Sequence, residues 1–228
     1  MQGIISAVRR NSLAENAGIK AGEKLCAVNG VSVHDIIELS YLVADEQIVL
    51  TIEDSECRQR QIVIEKYTDE ELGLEFEAAV FDGVTTCYNN CVFCFVDQMI
   101  PGMRESLYVR DDDYRLSFLY GNFITLTNMK EEDFEQIIKT HMSPLYISVH
   151  ATRPEVRCQM MNNRFAGELM SKINRLVEAG ISIHTQIVCC PGYNDGEVLE
   201  QTYRDLEALA PMAVSYTHLR AHETDSYL

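Results

Sequence analysis

The sequence predicts an α/β chain in two parts, a small β-rich unit followed by strands alternating with helices. Three observations carry this. Short β-branched runs, punctuated by glycines and an Asn-Gly turn, crowd the first 66 residues. From residue 78, strand-like and helix-like segments alternate, which implies a parallel sheet. An acidic stretch over 67–77, with three spaced apolar anchors, separates the two. With 228 residues, 46% apolar and 24% charged, the chain has the make-up of an ordinary soluble protein of one large or two modest domains.

In the first unit, residues 3–8 read as a strand and 12–18 as a short helix stopped by glycine. Residues 22–30 form a strand closed by Asn29-Gly30, a strong hairpin signal. A helical stretch over 35–42 precedes strands at 48–52 and 61–64. The string Ser12-x-Ala14-x-x-Ala17-Gly18-Ile19-x-x-Gly22-Glu23-x-Leu25-x-x-Val28-Asn29-Gly30 resembles a PDZ domain, over nearly all of residues 1–66. That resemblance implies capture of an extended peptide partner by strand addition, with backbone amides holding its carboxylate. Gly3-Ile4-Ile5 is the candidate loop, though a poor match to a glycine-rich one; a packing or docking module is the equal alternative.

In the second unit, residues 78–85 read as a strand feeding a cysteine loop, and 116–119 and 123–126 as strand interrupted at Gly121-Asn122. Helix follows over 131–139, with Thr127 or Asn128 as N-cap, then strand 145–149, helix 167–179, strand 181–188 and helix 196–209. In a parallel sheet the strand-to-helix loops fall at the carboxyl end of the strands. Residues 87–94, the Gly121 region, 150–152 and 191–195 therefore gather at one edge.

Cys87, Cys91 and Cys94 stand as Cys-x3-Cys-x2-Cys, with Phe93 before the third. Three thiolates can hold three irons of a cubane cluster and leave the fourth open, whereas electron-transfer clusters usually take four cysteines. An open iron can chelate and reduce a small molecule. A structural zinc site takes four ligands, commonly in CxxC pairs; no second pair exists at suitable spacing, and Cys189 and Cys190 are adjacent. Disulfides need an oxidising compartment, and residues 1–5 lack the basic and apolar regions of a secretory leader. The expected compartment is the cytoplasm, where eight cysteines point to metal chemistry first. Zinc and unliganded thiols remain as alternatives. Of the isolated cysteines, Cys26 and Cys158 read as core packing.

A formal charge of -16 disfavours a nucleic-acid partner, since it repels a phosphate backbone. No run of 18 apolar residues exists to span a membrane.

The cysteine spacing with its aromatic resembles the signature of the radical-SAM superfamily. The resemblance implies a [4Fe-4S] cluster, S-adenosyl-L-methionine (SAM) as cofactor, and reductive cleavage of SAM to a 5'-deoxyadenosyl radical that acts on an unidentified substrate. It also implies a reducing electron donor such as flavodoxin or ferredoxin, and an incomplete (βα) partial barrel after the PDZ-like domain. Phe93 belongs to the cofactor loop. Tyr120-Gly121-Asn122-Phe123 stands where such proteins carry a Gly-Gly-Glu-like segment, and departs from it in having no carboxylate. Gly121 and Asn122 are thus SAM contacts or a plain bulge. Ser148 and His150 end a strand where the superfamily contacts SAM, His150 having a structural reading as well. Gln186 faces the barrel interior on this reading, and Asn194 and Asp195 lie in a turn that resembles the loop near adenine.

Arg104, Asp111, Asp112 and Arg115 are the substrate-side candidates; the triple Asp111-Asp112-Asp113 also reads as a solvated face or a helix start. The chain resembles a narrower group, iron–sulfur oxidoreductases with an N-terminal PDZ-like domain and a C-terminal domain of unknown function 512, from its first residues and most strongly from Leu72 to Asn128. That resemblance runs to about Ala213. Residues 214–228 lack apolar periodicity and match, in one back-translation, a transposon-based sequencing adapter read in frame. They are therefore expected to be an artefactual tail on a truncated, inactive core, with His218 and His222 outside any metal site. The competing functions are a non-catalytic iron–sulfur sensor, a PDZ-type peptide-binding scaffold and a zinc-stabilised scaffold.

Overall fold

The computed structural model describes residues 3–220, and the chain divides into two compact units, residues 1–84 and 85–228. The first contains β1 (Gly3–Val8), α1 (Leu13–Asn16), β2 (Lys24–Val28), β3 (Val31–Ser32), α2 (Ile36–Leu42), β4 (Gln47–Glu53), β5 (Gln59–Glu65) and β6 (Leu74–Phe76). One antiparallel sheet runs in the order β5-β4-β2-β1-β6, with β3 paired to β2. Asn29 and Gly30 both take positive φ, 51° and 80°, as the tight hairpin turn between β2 and β3 requires. Asp35 caps α2 by accepting from the Ile37 and Glu38 N–H groups. Ile48, Leu50 and Ile52 alternate along β4 and are fully buried, joining Ile5, Leu25 and Val28 in one apolar core.

The acidic stretch is not only a connector. Within it β6 pairs with β1, Ile5 opposite Phe76 and Val8 opposite Leu74, and Leu72 enters the core. The anchors Leu72, Leu74 and Phe76 have period 2, which is strand spacing. No strand forms over 78–85; residues 79–81 instead pair with 34–36 through Ile36 N–H to Ala79 O (3.0 Å) and Phe81 N–H to His34 O (2.7 Å). Since β1 is hydrogen-bonded by β2 and β6, Gly3-Ile4-Ile5 is no edge for strand addition; the path of the sheet ends in β5 and β6.

The second unit contains α3 (Tyr114–Tyr120), α4 (Glu131–Thr140), β7 (Leu145–Ser148), α5 (Pro154–Met161), α6 (Leu169–Glu178), β8 (Ile183–Cys189), α7 (Glu197–Glu207) and β9 (Ala213–Arg220). Strands β7, β8 and β9 form a parallel sheet, and Ile124 adds a parallel bridge to Ile147 on the other edge of β7. Leu145, Ile147, Ile183 and Ile187 of the sheet are fully buried, as are Ile137, Ile173 and Leu176 of the helices.

A further expectation is corrected. Residues 116–119 are helix, not strand: Asp113 caps α3 by accepting from Arg115 N–H, and Gly121 ends it in the left-handed region with φ 77°. A short apolar run does not itself distinguish a buried strand from a helix. Residues 213–220 continue the sheet as β9, paired in parallel with β8 from Ile183–Ala213 to Cys189–Arg220, with a one-residue shift at Val214. Parallel pairing uses backbone groups that every residue but proline supplies, so it needs no apolar periodicity. Residues 221–228, with His222, lie outside the described residues. No described helix is long and apolar enough to cross a membrane.

Candidate functional site

The cysteine loop is fastened at both ends by backbone hydrogen bonds. At its start, Cys87 N–H donates to Arg110 O (2.8 Å) and Asp112 N–H to Thr85 O (2.8 Å), with Thr86 bridging Asp111. Further on, Asn90 and Val92 N–H groups donate to the carbonyls of Met161 (3.1 Å) and Met160 (2.9 Å), at the C-terminal end of α5. The last carbonyls of a helix lack partners within it, and here the loop supplies donors. The Phe93 ring packs on the His150 ring, centroids 4.4 Å apart.

His150 follows β7 with φ 64°. It is buried, its Nδ1 accepts from Val188 N–H (3.2 Å), and its N–H donates to Gln186 O (3.2 Å). Asn194, fully buried, donates through Nδ2 to the carbonyls of His150 (2.7 Å) and Val188 (2.9 Å), and accepts from Cys190 N–H (2.7 Å). These bonds close the carboxyl ends of β7 and β8 over one another.

Cys87, Cys91 and Cys94 line one cavity of about 660 Å³, within the range of small-molecule sites. Its walls include Phe93, Asp111, Asn122, His150 and Gln186. Asn122 donates to the Asp111 carboxylate at 2.7 Å. The other candidates do not line the cavity. Gly121 is the helix cap, its α-carbon facing the Tyr146 ring. The buried Ser148 gives its carbonyl to Arg157, and Asp195 accepts from Gly192 N–H within the turn. Arg104 is exposed. Asp112, 2% exposed, accepts from both the N–H and the hydroxyl of Thr125 (2.5 and 2.6 Å), and Arg115 pairs with Asp113 at 2.8 Å. Through these contacts Asp112 and Arg115 hold the fold together beside the site.

Sequence reasoning missed two residues. Asn89, 3% exposed, bridges Cys87 Sγ, Thr125, Thr127 and Asn163. Arg157, 1% exposed, donates to the carbonyls of Thr125, Ser148, Val149 and Ala166 at 2.6–2.9 Å. Its helix α5 had a signal, Pro154 in the first turn. Nothing marked the arginine itself.

Burial dominates the electrostatics. It pushes the Cys91 thiol up to about 12 and raises Cys87. It raises Asp112 despite the Thr125 hydrogen bonds, lowers His150 to about 3 with the help of Arg157, and lowers Arg157 to about 10. Asp113 is opposite: burial would raise it, but the Arg115 pair and the Thr85 N–H take it below its usual value.

Among the described residues no three His, Cys, Asp or Glu side chains converge on a point where one metal ion could sit. A cubane asks for something else, one thiolate per iron. Three thiols on one loop at one cavity suit that donor set, and binding a cation offsets the cost of ionising buried thiols.

Comparison with known families matches residues 66–216 to a radical SAM-like domain and residues 4–54 to a PDZ domain. No curated protein matches the chain. Since the first match covers more than half of the sequence, the chain belongs to the radical SAM-like domain family and carries a PDZ domain ahead of it.

Proposed function

We propose that this chain represents a radical-SAM iron–sulfur enzyme acting on a substrate yet to be found. The observation that carries the reading is the shared cavity: Cys87, Cys91 and Cys94 line it together with Asn122, His150 and Gln186, at the carboxyl end of the parallel strands. The three cysteines would hold a [4Fe-4S] cluster, which when bound supplies the electron that cleaves SAM to a 5'-deoxyadenosyl radical. The chain's own residues exclude water and fix the loop. Phe93 and His150 wall one side, and the neutral imidazole leaves that side uncharged. Asp111, oriented by Asn122, is the one carboxylate among the cavity's described lining residues and can attract a cationic ligand group such as an ammonium. A reducing protein of the flavodoxin or ferredoxin type would deliver the electron. For the PDZ domain, peptide capture is the accompanying proposal, with β6 or β5 as the receiving edge.

Anaerobic reconstitution tests the reading. We expect iron and sulfide to enter as [4Fe-4S], an electron paramagnetic resonance signal that shifts when SAM is added, and 5'-deoxyadenosine on reduction, assayed also in a longer homologue. Each of Cys87→Ala, Cys91→Ala and Cys94→Ala should abolish the cluster, whereas Cys189→Ala and Cys190→Ala should leave it. A cluster that never responds to SAM would favour the sensor instead, and zinc without iron would sink both.

A further inference from the structure

We propose that Asn89 raises the electron affinity of the cluster by donating an amide N–H to the Cys87 sulfur, an inference that rests on the cluster reading above. The contact is Nδ2 to Sγ at 3.2 Å, on a side chain 3% exposed. A carboxamide could equally present its oxygen, so the question is what fixes its orientation. Two chains of hydrogen bonds do so independently.

The first begins at a backbone donor. Phe165 N–H donates to Asn163 Oδ1 at 2.9 Å, which an amide nitrogen could not accept. Asn163 therefore turns its Nδ2 toward Asn89, and that contact of 2.6 Å requires Asn89 Oδ1 as acceptor. The oxygen of Asn89 is thus directed to Asn163, and its NH2 faces the other way.

The second begins at a buried carboxylate. The Thr125 hydroxyl donates to Asp112 Oδ2 across 2.6 Å, beside the Thr125 N–H on Oδ1 at 2.5 Å. The Thr125 oxygen is left to accept, and Asn89 Nδ2 lies 3.1 Å from it. Both routes place the same nitrogen on the same side, where Thr127 Oγ1 at 2.9 Å and Cys87 Sγ also lie. The two threonine hydroxyls, 2.8 Å apart, share one amide hydrogen and leave the other for the sulfur. Reduction adds negative charge to the cluster and its thiolates, and hydrogen bonds to the sulfurs set where that becomes favourable. Asn89 is accordingly a positioning residue for the redox step, acting through the Cys87 sulfur.

The test is a spectroscopically monitored redox titration of the reconstituted full chain against dithionite, comparing wild type with Asn89→Ala and Asn89→Asp. Asn89→Ala removes the donor; Asn89→Asp keeps the shape and the acceptor for Asn163 but turns an oxygen toward the sulfur. At fixed poise we expect the reduced-to-oxidised ratio to fall about tenfold in Asn89→Ala, which is about 59 mV for one electron, and further in Asn89→Asp. Should neither variant take up a cluster, the wild type alone decides. With 15N in its asparagine side chains, its reduced cluster should show a nitrogen coupling in pulsed paramagnetic resonance, and no such coupling would overturn the proposal. Midpoints equal to wild type in both variants would overturn it as well, leaving the cluster reading intact. A wild-type protein that takes up no iron would overturn that reading first.

Discussion

The described buried polar residues of the first unit are Asp35 and Lys66, whereas the second unit buries Asn89, Asp112, Asp113, Arg115, His150, Arg157 and Asn194 among others. The difference follows from topology. Antiparallel neighbours satisfy the backbone of the first unit within the sheet, so Ile5, Leu25, Ile48, Leu50 and Ile52 can form an apolar centre with few polar side chains. Parallel strands end in loops whose carbonyls have no ladder partner, and side chains must supply the donors. Arg157 supplies four and Asn194 two. The first unit is stabilised by area removed from water, the second by hydrogen-bond hubs at the end where the cysteines sit.

The largest effect should come from breaking such a hub. Arg157→Met replaces a buried cation by an apolar chain of similar length and leaves the carbonyls of Thr125, Ser148, Val149 and Ala166 without their donor. Each buried acceptor left unsatisfied costs about 1–3 kcal/mol, so the second unit should unfold at much lower urea. Hydrogen-exchange mass spectrometry resolves the two units, and peptides from 3–65 should keep their protection. A loss below about 1 kcal/mol would mean that water replaces the guanidinium, and the contrast between the units would be broken.

The matching change in the first unit is Gly73→Ala. Gly73 has φ 78°, and an added Cβ would lie 2.4 Å from Ser12 Cβ, where Gly73 O also accepts from Arg9 N–H. A left-handed non-glycine residue together with overpacking should cost about 2–3 kcal/mol. Here the protection of the first unit should fall and that of the second should not. Equal loss in both would show that the units melt together.

The sequence made this contrast only half visible. Cys87, Cys91 and Cys94 were legible because their chemistry depends on spacing along one loop. Ile48, Leu50 and Ile52 were legible because period 2 is a strand signature. Arg157 and Asn89 were not, since their partners are backbone carbonyls and polar side chains up to 74 positions away, which leave no local pattern. The α3 helix was misread although both of its signals, Asp113 before the run and Gly121 after it, stand in the sequence. The apolar run between them outweighed the caps. Asp111, Asp112 and Arg115 stand in one charged string, and nothing in the string tells that Asp111 lines the cavity while Asp112 and Arg115 are buried beside it.

A pH measurement sharpens the picture at His150. Folded His150 stays neutral down to about 3, while an unfolded histidine takes a proton below 6.5. The unfolded chain then binds more protons, so this group's contribution is complete above 6.5 and is lost as pH falls toward 3. His150→Asn removes the titration and keeps a residue that tolerates the left-handed φ. In metal-free protein at pH 5.5, wild type should have lost about 1.4 kcal/mol more than the variant, relative to pH 7.5. Asp112, whose carboxyl is raised, acts with the opposite sign in both proteins and cancels from the difference. An identical acid slope in the two would mean that His150 is reached by water.

The smallest effect is expected at β9. Its backbone pairs along the whole of β8, yet Val214, Tyr216 and Leu219 are all about half exposed. Its described side chains make few contacts: His184 Nδ1 to Ser215 Oγ at 2.7 Å, ring contacts of Tyr203 with Tyr216 at 5.0 Å and with His218 at 6.3 Å, and Leu219 at the rim of the cavity. Ordering each backbone residue costs about 1–2 kcal/mol, close to what a solvent-exposed hydrogen bond returns. A chain ending at Ala213 should therefore lose less than about 1 kcal/mol, and limited proteolysis of the full chain should cut first after residue 213. The freed edge of β8 would then be open to pairing with other chains, so the shortened protein should self-associate as its concentration rises. If removing β9 instead abolished cooperative unfolding of the second unit, the strand would be integral to the sheet, and the adapter reading of residues 214–228 would have to be given up.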